Sequence, residues 1–187
     1  MMTNSSERLK GFPPLYSASA RVLILGSMPS AASLAAGRYY AHRANRFWPV
    51  MAAVFPQKAA ALLSPDFDER YAALTSLGIA LWDTIGECER EGSLDSAIRS
   101  AVPNDLAAFL KRSPSVRLVI LNGKKSLEVW RRAAQASVAA VAPELSTVCL
   151  PSTSPANAAV RLPELVDIWG KTIKSSLREA LVLEEGA

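Results

Sequence analysis

The run "VRLVILNG", residues 116 to 123, decides what kind of fold this chain can adopt. Leu118 to Leu121 are apolar without a break, so a strand here presents greasy side chains on both of its faces. A strand of that kind needs cover on both sides, which is the situation of a parallel sheet lying between helices. The Asn122-Gly123 pair stops the run, and "KKSLEVWRRAA" (124–134) follows with helical spacing.

The same pattern repeats in both directions. Downstream, "LSTVCLP" (145–151) reads as a further strand, and a long amphipathic helix runs from roughly Pro163 to Leu183. Upstream, "NDLAAFLKR" (104–112) reads as a helix with Asn104 as its N-cap candidate. "DERYAALTSLG" (68–78) has helical spacing with a Gly78 C-cap signal, and "IALWD" (79–83) is a strand. "RFWPVMAAVF" (46–55) is helical, with Pro49 tolerated only in the first turn, and "RVLILG" (21–26) is the first strand. Residues 1 to 20 contain Pro13 and Pro14 and no periodic pattern, and are expected to be a loosely ordered lead-in. Short apolar strands alternating with helices predict an α/β fold over 1–187: one domain, a three-layer αβα sandwich around a central four-stranded parallel sheet.

Composition narrows the function classes. The chain has 187 residues, half of them hydrophobic, enough for one substantial core. Lys and Arg total 21 against 17 Asp and Glu, giving a net charge of +4 that favours an anionic partner without identifying one. No run approaches the ~18 apolar residues of a membrane span. The polar stretch Thr3 to Glu7 lacks the features of a signal peptide, so a cytoplasmic protein with reduced thiols is expected. The two cysteines, Cys88 and Cys149, form no CxxC, and there is one histidine, so neither a metal nor a cofactor is expected.

Open parallel sheets collect ligands at the carboxyl ends of their strands. After the first strand, "LILGSMPSAAS" (23–33) places Gly26, Ser27 and Ser30 where the backbone can approach a ligand closely, although an ordinary strand-to-helix turn has the same look. "LNGKKS" (121–126) is not a phosphate-binding loop, because Leu118 stands where its first Gly belongs. Lys124 and Lys125 are either phosphate contacts or a solvated helix end. "PSTSPANA" (151–158) carries three consecutive hydroxyls and two prolines, and is therefore stiff as well as polar. "ECEREGSLD" (87–95) reads as a solvated charged loop, from which Arg90 is the one candidate to reach a phosphate. Asp83 either orients a water or caps the next segment, and His42 reads as a packed or helix-capping histidine.

"YYAHRANRFW" (39–48) mixes four aromatic rings with the only histidine and an asparagine. A pocket for a planar polar ring needs an aromatic face and a neutral amide that both donates and accepts. Tyr40 and Asn45 supply these, and Phe47 and Trp48 are expected to anchor the segment in the core.

Taken together, these segments resemble the uracil-DNA glycosylase superfamily. "GSMPS" sits at the place of its first motif, "YYAHRANRFW" is similar to the H-P-x-N-x-F-W segment of its mismatch-specific branch, and "PSTSPANA" takes the place of its second motif. The combination is most similar to the DNA-deoxyinosine (hypoxanthine-DNA) glycosylases, as are "GIALWD", "CEREGSLDSAI", "NDL" and "NGKK". The likeness spans about residues 20 to 160. Met28 stands where the mismatch-specific branch reads Asn, a loss that the deoxyinosine branch shares. "HRAN" replaces the more usual H-P-R-N, which puts Arg43 and Ala44 in place of Pro and a basic residue.

The resemblance implies a monofunctional hydrolase acting on double-stranded DNA. It would flip out a deaminated base, hypoxanthine or also uracil, and cut its N-glycosidic bond to leave an abasic site. On that reading Asn45 is catalytic with Ser152 assisting. Gly26, Ser27, Met28, Pro29, Tyr40, Thr153 and Ser154 bind the base, and Ser30, Lys124, Pro155, Ala156 and Asn157 contact the DNA. A monomer associated with the nucleoid is expected. Two other readings stay open: a mismatch-specific uracil glycosylase, which Met28 disfavours, and a non-catalytic module that binds nucleotides or nucleic acid.

Overall fold

The computed structural model describes residues 8–185, and their side chains as far as residue 178. In chain order the first half contains β1 (Arg8–Lys10), β2 (Val22–Gly26), α1 (Ala31–Ala36), α2 (Phe47–Val54), α3 (Ala59–Leu62), α4 (Phe67–Ser76) and β3 (Ile79–Asp83). The second half contains β4 (Ile85–Glu89), β5 (Arg99–Pro103), α5 (Leu106–Arg112), β6 (Leu118–Asn122), α6 (Lys124–Ala133), α7 (Gln135–Val141), β7 (Ser146–Leu150) and α8 (Leu162–Glu185).

The expected sheet is present: four strands, all parallel, in the order β3-β2-β6-β7. Alternation along β2 sorts the layers. Val22 and Ile24 join Leu81, Ile120, Phe47, Met51, Leu74 and Trp169 in one core, beneath α2, α4 and α8. Leu23 and Leu25 join Val119, Leu121, Phe109, Trp130 and Val138 in the other, beneath α5, α6 and α7. Burial on both faces explains why β2 and β6 read as unbroken apolar runs. The register sets Gly26 beside Asp83 and Asn122 beside Leu150, so the polar ends of all four strands meet at one edge.

Three expectations need correction. The lead-in is tied down from residue 8 onward, while residues 1–7 lie outside the described residues. β1 pairs antiparallel with β4, Leu15 bridges Leu81, and the Trp82 indole N–H donates to the Phe12 carbonyl at 2.9 Å. The segment 87–95 is also not simply a solvated loop, because β1, β4 and β5 form a second, antiparallel sheet. Register shifts on either side of Glu87 break the period of two by which a strand is read, although Ile85 and Cys88 are fully buried. The N-cap of α5 is Asp105, whose carboxylate accepts from Ala108 N, and not Asn104. The C-cap signal at Gly78 holds: its φ is +74°, the left-handed region open to glycine.

Trp169 of α8 is fully buried, meets Phe47 edge-on at 6.4 Å and donates its indole N–H to the Pro151 carbonyl at 3.0 Å. It therefore fixes both the core and the start of the 151–158 loop. Trp169→Ala should lower the free energy of unfolding by about 3–5 kcal/mol in a denaturant titration. A loss below about 1 kcal/mol would contradict this packing.

Candidate functional site

β2 ends at Gly26, and the space above that residue is crowded. A Cβ there would stand 2.4 Å from Asp83 Oδ1 and 3.6 Å from the Tyr40 hydroxyl oxygen. Asp83 is 4% exposed, and its Oδ2 has no hydrogen-bond partner among the described residues. Burial, reinforced by the Asp95 charge and opposed by Arg90, pushes its carboxyl up to about 7.

The first-motif loop is braced from within. Arg90 is 7% exposed and donates to the Pro29 carbonyl, so it does not reach outward toward a phosphate. Ser27 Oγ donates to Asp95 Oδ1 at 2.6 Å and Ala31 N to Ser93 Oγ at 2.9 Å, which closes the 93–95 segment over the loop. Ser30 caps α1 by accepting from Ser33 N. Met28 is 6% exposed, and its side chain packs with Ile85, Cys88, Ile98 and Val129. Its side chain therefore does not line a base pocket; only its main chain remains for that role.

Tyr40 is held in the left-handed region at φ 54°, a conformation rare for an aromatic residue. One face of its ring stacks on Phe47, with centroids 4.0 Å apart and planes at 15°. Its hydroxyl accepts from Asn122 Nδ2 at 3.2 Å, and burial holds it far above its ordinary pKa. The same Nδ2 donates to Thr153 Oγ1 at 3.0 Å, while Asn122 Oδ1 accepts from Thr153 N at 3.0 Å. Asn122 thus joins the Tyr40 segment to the 151–158 loop. Thr153, expected among the base contacts, is fully buried and spent on Asn122, which makes its side chain a strut and not a pocket wall.

Asn45 lies between these anchors. Its Oδ1 accepts from Phe47 N at 2.9 Å and its main-chain N donates to the His42 carbonyl at 2.8 Å. With Oδ1 fixed, Nδ2 is left as a two-hydrogen donor with no partner among the described residues. His42 Nδ1 accepts from Ala44 N within a turn ahead of α2, so it does not cap that helix.

Arg46 is the residue that sequence reasoning missed. Its main-chain N donates to the Thr153 carbonyl at 3.0 Å. Its guanidinium donates to the carbonyls of Ser154 at 2.8 Å, of Asn157 at 2.7 Å and of Val160. The loop also bonds to itself: Asn157 Nδ2 donates to the Ser152 carbonyl, Ser152 Oγ accepts from Ser154 N, and Ser154 Oγ accepts from Ala156 N. Pro155 and Ala156 stand exposed at its tip. At its base Ser152 borders an open cleft of about 370 Å³ shared with Asp95, Ser96, Gly123, Lys124 and Lys125. Lys124 is exposed there, whereas Lys125 pairs with Glu128 at 3.0 Å. Among the described residues no group of three His, Cys, Asp or Glu side chains converges as a metal site requires.

Three comparisons bear on this geometry. The profile of the "Uracil DNA glycosylase superfamily" matches residues 13–171. A hypoxanthine DNA glycosylase of Methanosarcina barkeri is 34% identical over 119 residues, which are 64% of this chain and 73% of that protein. One from Methanosarcina acetivorans is 32% identical over the same shares. A solution NMR structure from Methanosarcina acetivorans, provisionally described as a uracil DNA glycosylase, superposes with a TM-score of 0.75 at 26% identity, covering 91% of this chain and 99% of that one.

A lysine cannot reproduce the fork that holds several carbonyls at once. Arg46→Lys should therefore speed amide exchange in residues 152–157 at least about tenfold, one lost bond of ordinary strength, and leave α6 unchanged. Unaltered protection of the loop would remove Arg46 from this role.

Proposed function

The chain belongs to the uracil DNA glycosylase superfamily, and we propose that it is a DNA glycosylase whose preferred substrate is hypoxanthine in double-stranded DNA. The observation that carries this reading is Asn45: an amide with its acceptor fixed by Phe47 N and its donor unspent, five residues after a left-handed tyrosine whose hydroxyl is tied to the carboxyl end of the parallel sheet through Asn122. The preference for hypoxanthine rests on the names of the Methanosarcina relatives.

Cutting a glycosidic bond in a duplex requires the nucleotide to leave the stack, at a cost of a few kcal/mol that a wrongly paired base reduces. The extruded base would lie on the face of Tyr40 that Phe47 does not occupy. The main chain of Gly26 to Pro29 and the Ser154 region would form the remaining wall. As the bond breaks, the sugar takes on oxocarbenium character and the departing base becomes negative. A donor already aimed at that charge is worth ~3 kcal/mol, because nothing has to reorganise when the charge appears. Asn45 Nδ2 fills that role, with the Ser152 hydroxyl assisting.

Ser30, Lys124 and the Pro155–Asn157 tip would hold the phosphate backbone, helped by the net charge of +4. The enzyme would act as a monomer in the cytoplasm, as a hydrolase with no lyase step. Among the described residues no helix is long and apolar enough to cross a membrane.

The test is single-turnover base release from matched duplexes carrying one deoxyinosine or one deoxyuridine. Wild type should release mainly hypoxanthine. Asn45→Ala and Asn45→Asp should both slow release at least about tenfold. Asn45→Asp keeps the acceptor for Phe47 N and should melt like wild type, whereas Asn45→Ala should lose about 1 kcal/mol of stability. Release mainly of uracil would move the chain to the mismatch-specific type. DNA binding without release would make it a non-catalytic module, and unchanged rates in both variants would take Asn45 out of the chemistry.

A further inference from the structure

Two hydrogen-bonding groups converge above Gly26 with valences unfilled by the protein. Among the described residues the Asp83 carboxylate receives no hydrogen bond: Oδ2 is sealed from solvent, and Oδ1 is the oxygen turned toward Gly26. The Tyr40 hydroxyl already accepts from Asn122, so its own hydrogen still needs an acceptor. Asp83 Oδ1 and the Tyr40 oxygen crowd the same point, 2.4 Å and 3.6 Å from where a Cβ on Gly26 would be. An acceptor and a donor aimed at one buried place are normally joined by water. Met28 offers that water nothing, since its side chain is turned into an apolar cluster, and Gly26 sets no side chain in its path.

We propose that a water held between the Asp83 carboxylate and the Tyr40 hydroxyl is the nucleophile of hydrolysis, with Asp83 accepting its proton. This rests on the glycosylase reading. The water oxygen bonds to C1′ of the sugar as the C1′–N bond breaks, and the bonding pair leaves with the base toward Asn45 Nδ2. The water's proton passes to Asp83 Oδ1, the carboxylate oxygen turned toward Gly26 and the Tyr40 hydroxyl. The base anion then takes a proton from solvent, and Asp83 returns its own to solvent. The products are the free base and an abasic sugar hydroxyl.

The groups facing Asp83 are Asp95, which shares its sign, Arg90, which opposes it, and the hydroxyls of Tyr39 and Tyr40, which feel its charge. Their balance with burial places its titration at about 7, so release should rise with pH through that value and level off above it. Stability runs the other way. A carboxyl raised from 3.8 to about 7 keeps its proton in the folded state after the unfolded chain has released it, so stability falls as pH rises across that window. Asp83→Asn escapes that loss and should melt no lower than wild type above neutrality.

The experiment measures single-turnover release by the full chain from deoxyinosine and deoxyuridine duplexes across the neutral pH range. Asp83→Asn should slow release by about a hundredfold, by the same factor on both bases, with duplex affinity unchanged and the inflection near 7 gone. Tyr40→Phe should show a smaller loss and keep the inflection. A wild-type rate in Asp83→Asn would overturn the proposal, and so would a loss confined to one base, which would make Asp83 a reader of the base edge. If wild type releases neither base, the glycosylase reading falls and this inference falls with it.

Discussion

One guanidinium holds the two halves of the site together. Arg46 starts from the N-terminus of α2 and spends its fork on carbonyls of residues 154, 157 and 160, while its own main-chain N reaches Thr153. A loop containing Pro151 and Pro155 lacks N–H groups and has surplus carbonyls, and a rigid multi-donor cation suits that deficit. Arg46 is consumed inside the protein, whereas Lys124 and Arg43 stand exposed.

The rest of the site follows from this brace. With the 151–158 loop fixed, Thr153 meets Asn122, Asn122 meets Tyr40, and Tyr40 lies flat on Phe47. Every link is a hydrogen bond or ring contact between residues from different elements, so the site is rigid before any ligand arrives. Several of its parts cost stability: a left-handed tyrosine and, among the described residues, a buried carboxyl with an orphaned oxygen and a buried arginine with unpartnered nitrogens. Such costs gather where chemistry requires them, because preorganised donors and acceptors do not have to move when charge develops.

The sheet was legible in the sequence because burial on both faces leaves a simple trace, the unbroken runs of β2, β3 and β6. Chemistry and a place after a strand picked out Tyr40 and Asn45 in the sequence; the left-handed φ of Tyr40 and the Asn45–Phe47 hydrogen bond are what the structure adds. What escaped is what tertiary contacts decide. Asn104 and Asp105 are equally good caps by type, and only the reach of the Asn104 amide to the Asp83 carbonyl at 2.9 Å leaves the cap to Asp105. A hydroxyl in a polar loop reads as a ligand contact until its direction is known, and Thr153 turns inward. Asn122 looks like a strand terminator, and Arg46 like one more surface cation. The antiparallel sheet hid behind its charged residues and its bulge.

In the proposed function the Asn45 amide is the principal side-chain donor kept for the base, with its Nδ2 unpartnered among the described residues. Side-chain amide NMR, with a duplex carrying 2′-fluorinated deoxyinosine to block hydrolysis, tests that directly. The Asn45 Nδ2 resonances should shift strongly on binding, while those of Asn122, already committed to Tyr40 and Thr153, should stay in place. A saturated complex in which Asn45 is unmoved, or in which Asn122 shifts in its stead, would contradict the account.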